Sequence, residues 1–138
     1  MILRVSNAPA KGCRVTWGTQ SRTYSADELR RGVNLAADFG SNPFSDAFKT
    51  VDAAVAAKQA YETKQIKKIF HELVGGRVKP EELDKDPELK RLASLRDVNG
   101  KLNRNEIARE TELVRAPLAA AIKAAFVPVT HTIIVQPL

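Results

Sequence analysis

The sequence predicts an α+β fold, in which a small antiparallel sheet, made of an N-terminal hairpin and a C-terminal strand, carries a long antiparallel helical hairpin. Three observations point there. Residues 13–17 and 21–24 are alternating, β-rich runs separated by Gly18-Thr19-Gln20. Between residues 44 and 73, apolar side chains recur at helical spacing. Phe48, Val51, Val55, Ile66, Ile69 and Leu73 all fall within about 40° of Phe44 at about 100° per residue. The last run, residues 130–136 (THTIIVQ), is again β-branched. The expected organisation is a single domain over 1–138, with a sheet part at 1–36 and 129–136 and a helical part at 43–126.

Each element follows from local chemistry. Residues 2–6 are short and apolar enough for a strand, and Asn7-Ala-Pro-Ala-Lys-Gly12 is turn composition. Ser25 followed by Glu28 is a capping box, so a short helix is expected over 26–31, stopped by Gly32. Residues 33–36 read as extended and 38–43 as a loop. The long helix, over 43–73, ends at Gly75-Gly76. A second helix over 80–95 opens with Glu81 and Glu82 and is interrupted at Asp86-Pro87, because proline disfavours helix at the residue before it. Residues 97–100 (DVNG) form a turn. A third helix, from Asn103 or Asn105 to Phe126, carries the stripe Ile107, Thr111, Val114, Leu118, Ala121 and Ala125. Pro117 should kink it and Pro128 should stop it. An isolated hairpin is only marginally stable, so the final strand is expected to return to the N-terminal one.

Composition narrows the class. The chain has 138 residues, 43% hydrophobic and 28% charged, which is globular rather than disordered. Aromatics are only 6%, so aliphatic side chains must fill most of the core. No apolar run of about 18 residues exists, which argues against a membrane partner, and no basic-then-apolar signal peptide is visible at the start. The one cysteine, Cys13, cannot form an internal disulfide or a Cys-based zinc site.

The net charge is +6, and its distribution is informative. Residues 58–79 carry +4, with Lys64, Lys67, Lys68, Arg77 and Lys79 as a candidate basic patch for nucleic acid. Residues 81–88 then carry −4. A basic helix end beside an acidic helix start suits the helix dipoles and neutralises itself, which disfavours nucleic acid as a partner. The long stripe also has a polar break: Lys58, Gln59 and Glu62 occupy the face between its two apolar stretches. Either the helix outruns its domain or its middle faces a polar groove. Together with Ile66, Ile69, Phe70 and Leu73, which need a cover, these form the candidate interaction surface.

Reactive constellations are sparse. His71-Glu72 begins like a zinc-protease helix, but Gly75 occupies the place of the second histidine. His71 reads as a helix-surface residue and His131 as a neutral hydrogen-bonding residue in the final strand. Cys13 reads as an inert core thiol, no serine sits in a Gly-x-Ser-x-Gly turn, and Gly75-Gly76 follows a helix rather than preceding one. No cofactor motif is found. A site at Glu62, Gln59 and His71 is opposed by geometry, because Glu62 and His71 lie about 13 Å apart along a helix and on opposite sides of it. Trp17 and Tyr24, on the two arms of the hairpin, read as a cross-strand aromatic pair or as a stacking platform for a sugar or base.

The order of the pieces resembles a known family. The hairpin with Tyr24-Ser-Ala-Asp-Glu-Leu-Arg-Arg-Gly-Val-Asn-Leu-Ala36, the helix Ala47-Phe-Lys-Thr-Val-Asp-Ala-Ala-Val-Ala-Ala-Lys-Gln-Ala-Tyr-Glu62, the helix Arg115-Ala-Pro-Leu-Ala-Ala-Ala-Ile-Lys-Ala-Ala-Phe126 and the strand Val129-Thr-His-Thr-Ile-Ile134 are similar to the region after the catalytic domain of bacterial SGNH (GDSL-type) hydrolases. The resemblance implies a secreted parent and a detached tail. The Gly-Asp-Ser block, the oxyanion-hole blocks and the Asp-x-x-His block of that family are absent from this chain, so no catalytic residue carries over. It implies an accessory or interaction domain that self-associates or meets a catalytic-domain partner through its helix faces.

Overall fold

The computed structural model describes residues 1–138. In chain order the elements are β1 (Ile2–Leu3), β2 (Cys13–Trp17), β3 (Gln20–Tyr24), α1 (Ala26–Arg31), β4 (Val33–Asn34), α2 (Leu35–Asp38), α3 (Ser45–Lys64), a π-helical segment (Gln65–Leu73), α4 (Pro80–Lys85), α5 (Pro87–Ala93), α6 (Arg104–Ala125) and β5 (Ile133–Pro137). The fold is α+β, as expected. The chain forms two compact units, Met1–Lys49 with Val127–Leu138, and Thr50–Phe126, and the boundary falls inside α3.

The first unit is built on a three-stranded antiparallel sheet of order β3-β2-β5, so the last strand does return to the hairpin. The hairpin closes through a two-residue loop, with Gly18 at φ +64° in its first position, the backbone a type II′ turn requires there. This loop sets the register: Trp17 lies opposite Gln20 and Cys13 opposite Tyr24. Trp17 and Tyr24 therefore stand at opposite ends of the hairpin and are not a cross-strand pair. The alternation of β2 is clean, with Cys13, Val15 and Trp17 buried and Arg14 and Thr16 turned outward. Behind the sheet lie Leu29 of α1, Val33, Leu35 and Phe39.

The capping box forms as read. Ser25 Oγ accepts from the Glu28 N–H, and Glu28 Oε2 accepts from the Ser25 N–H. Three extended segments are shorter than expected. β1 spans two residues and pairs with β4 in a separate ribbon, Leu35–Asp38 is a helical turn rather than strand, and β5 starts only at Ile133. His131 thus lies ahead of the strand, not in it.

The second unit buries Ile69, Leu73, Leu89, Leu92 and Ile107. Its two long helices run antiparallel: Glu62 faces Arg115 and Gln65 faces Thr111, so stepping forward on one helix steps back on the other. Asp86 stops α4 and caps α5 by accepting the N–H groups of Glu88 and Leu89, with Pro87 in the first turn where no amide is needed. α6 runs through Pro117 without ending.

The apolar stripe read across residues 44–73 does not form one face. Phe44 packs on the core of the first unit, Phe48 is 77% exposed and Ile66 is 65% exposed. The cause at Ile66 is the winding. At the end of the segment the Val74 N–H donates to the Ile69 carbonyl at 2.9 Å and the Arg77 N–H to the Glu72 carbonyl at 2.7 Å, each five residues back. A helix of this kind takes more residues per turn than an α-helix. A three-residue step then carries Ile66 away from Ile69, while a four-residue step keeps Leu73 beside it. In α6 only Ile107 and Thr111 of the expected stripe are buried.

Candidate interaction surfaces

In the second unit, the polar break in the stripe is a set of charges. Lys58 and Glu62 are half-buried and ion-paired, and Arg115 of α6 approaches the same Glu62 oxygen at 3.5 Å. The pair holds the Glu62 carboxyl below its ordinary range, through the Lys58 hydrogen bond first and against the cost of burial. Gln59 points off this face and is exposed. One turn on, Gln65 Nε2 donates to Thr111 Oγ1 at 3.0 Å, and the Thr111 hydroxyl donates to the Ala108 carbonyl, so this fully buried hydroxyl is satisfied.

Of the five cations of the predicted basic patch, Lys64 and Lys68 are ion-paired with carboxylates. Lys64 Nζ lies 2.8 Å from carboxylate oxygens of both Asp86 and Glu88. Burial opposes its charge, but these two carboxylates outweigh it and its ammonium titrates above the usual lysine range. Lys68 binds Glu72 at 2.7 Å and reaches Glu82 at 3.4 Å. Arg77 donates to the His71 carbonyl at 2.9 Å. Lys67 and Lys79 are exposed. Tyr61 donates to Glu88 Oε1 at 2.9 Å, and burial together with this carboxylate pushes its hydroxyl pKa up. Ile69 and Leu73 belong to the core, Phe70 is half-buried against it, and Ile66 alone of the apolar candidates faces solvent. His71 is exposed, as expected.

In the first unit, Trp17 is 2% exposed and its ring makes edge contacts with Phe39, Phe44 and His131, with centroids 5.9, 5.9 and 5.7 Å away. It is a core anchor and offers no stacking face. Tyr24, also buried, donates to Asp38 Oδ2 at 2.9 Å. Burial first and Asp38 second push its hydroxyl up to about 12. Trp17 Nε1 donates to His131 Nδ1 at 3.1 Å, an arrangement that sequence reasoning missed because 114 residues separate the two. An indole N–H can only donate, so Nδ1 must carry a lone pair and the proton of neutral His131 sits on Nε2. Long-range nitrogen–proton correlation spectra at neutral pH are expected to show the Nε2–H tautomer; the Nδ1–H pattern would refute the contact.

The same unit carries an open groove of 720 Å³ lined by Ser21, Arg22 and Thr23 of β3 and Arg14 of β2, and by Glu28 and Arg31 of α1. Arg14 and Arg22 are brought together by the register of the hairpin and Arg31 comes from α1, so no charge run announces the groove. No group of three or more His, Cys, Asp or Glu side chains lies together in a way that could hold a metal ion. No helix is long and apolar enough to cross a membrane. Comparison with protein-family models, with curated proteins and with solved structures finds no significant match.

Proposed function

We propose that the chain is a non-catalytic accessory or interaction domain, of the kind that follows the catalytic domain in bacterial SGNH/GDSL-type hydrolases, and that its helical unit is covered by protein. The observation that carries this reading is the state of the long helices. α3 spans 20 residues and buries none of them, and α6 spans 22 and buries only Ile107 and Thr111. Helices of this length owe most of their stability to a packed apolar face rather than to propensity. Here Leu113 at 58% and Val114 at 39% exposure stand in solvent. The link to SGNH tails rests on the motif order quoted above. The nucleic-acid reading has no comparable support, because Lys64 and Lys68 are held by carboxylates.

Without another partner, a second copy of the chain is the cover expected for this face. Light scattering should then give a mass above one chain that falls on dilution, and Leu113→Arg should weaken the association at least about tenfold with helix content unchanged. A single-chain mass up to millimolar concentration would remove the self-association. Nitrophenyl acetate should not turn over above background; turnover abolished by substituting a serine or histidine of this chain would overturn the non-catalytic reading.

A further inference from the structure

We propose that the free edge of β3, with the end of α1, is a docking groove for an extended acidic peptide of a partner protein, which adds as a fourth strand and sets its carboxylates against Arg14, Arg22 and Arg31. The backbone supplies the first half of the argument. β3 is an edge strand, and Gln20–Thr23 are exposed along it. The two-residue loop makes Trp17 and Gln20 a hydrogen-bonded pair, so by alternation Arg22 and Tyr24 also bond to β2. Ser21 and Thr23 therefore turn their N–H and C=O groups to the open side. An unpaired edge of about 17 Å facing a groove is what a strand-adding peptide requires.

The side chains supply the second half. Arg14, Arg22 and Arg31 line this groove, and none of the three makes a hydrogen bond or ion pair within the chain. Two acids, Glu28 and Asp38, share the groove, so its arginines outnumber its carboxylates by one, and the Arg31 charge acts on Glu28. Glu28 Oε2 accepts from the Ser25 N–H at 2.8 Å and from its hydroxyl at 2.7 Å, and Asp38 accepts from Tyr24. Arg14 lies on the outer face of the sheet, opposite Thr23, whereas Arg22 lies opposite buried Val15 on the inner face. An added strand would find a guanidinium on each of its faces, so consecutive acidic residues fit better than alternating ones.

Charge also selects the occupant. Pairing β3 with β3 of a second copy about a two-fold axis brings like charges at Arg22 together, which is unfavourable. The chain's own acidic stretch is helical and engaged, with Asp84 on Lys90, Asp86 and Glu88 on Lys64, and Glu82 near Lys68. The arginines that guard the edge against its own kind accept an acidic partner.

The test is a titration of nitrogen-15-labelled protein with a capped heptapeptide of threonine and valine bearing three consecutive glutamates at its centre. Amide shifts are expected at Ser21 and Thr23, with affinity that falls as salt rises. Arg14→Gln and Arg22→Gln, both at exposed positions, should each weaken binding at least threefold. The glutamine version of the peptide, and an acidic version N-methylated along its backbone, should each bind at least tenfold more weakly. No shift at Ser21 and Thr23 at low salt overturns the proposal. So does equal binding of the N-methylated peptide, which would mean charge attraction alone, or equal binding of the glutamine peptide. This goes beyond the reading of the helical unit, and because light scattering tests that reading separately, each can fail alone.

Discussion

Trp17→Ala is expected to remove about 3–5 kcal/mol from the stability of the first unit, the usual cost of deleting a large buried aromatic. That unit has about 60 residues, for which a total of roughly 3–9 kcal/mol is typical, so the loss approaches the whole. The size follows from what the indole touches. It is 2% exposed, closes the β2 face of the core, and meets Phe39, Phe44 and His131 edge-on. Its removal leaves a cavity between these rings, and it strands His131 Nδ1 without its donor. Trp17→Phe separates the two effects, because it keeps most of the volume and loses only the hydrogen bond; it should cost about 1–2 kcal/mol. Trp17 is the only tryptophan, so the measurement is urea unfolding followed by amide cross-peaks of buried Val15 and Leu35. A change below about 1 kcal/mol for Trp17→Ala would show that the indole is not the anchor of this core.

The parts of the fold that were legible in the sequence are those fixed by a few adjacent residues. Ser25 with Glu28 formed its capping box, Asp86-Pro87 divided two helices, and α6 ran over the span its caps marked out. The hairpin was legible as well, but pairing Trp17 with Tyr24 ignored its own turn. A two-residue loop after Trp17 leaves Gln20, not Tyr24, as its partner. What was not legible is what the register and long-range packing create. The His131 contact to Trp17 and the gathering of Arg14, Arg22 and Arg31 each depend on separate elements meeting, and no local pattern encodes them. The partial neutralisation of the basic run from Lys64 to Lys79, by contrast, was legible, because the acidic run that supplies it is adjacent in sequence. The acidic run that follows it folds back, and Asp86, Glu88 and Glu82 take up Lys64 and Lys68.

The long helix shows another kind of limit, and a pair of substitutions measures it. A helical wheel at 100° per residue places Ile66 and Ile69 on one face and gives them similar weight. The π winding gives Ile69 the core, at 0% exposure beside Leu89, Leu92 and Ile107, and leaves Ile66 at 65%. Ile69→Ala should therefore cost about 2–5 kcal/mol in the second unit, through lost burial and the cavity left behind. Ile66→Ala should stay within about 0.5 kcal/mol, as substitutions on open surface do. Gly75 is part of the same device, because a methyl group there would run into the His71 carbonyl oxygen as the chain leaves the widened turn. Urea unfolding read at the amides of Leu92 and Ile107, at a concentration where the chain scatters as a monomer, gives both numbers. Comparable losses at the two isoleucines would mean that residues 65–73 wind as an ordinary α-helix with Ile66 turned inward. Ile66 would then leave the solvent-facing surface of the helical unit, and a partner could not use it.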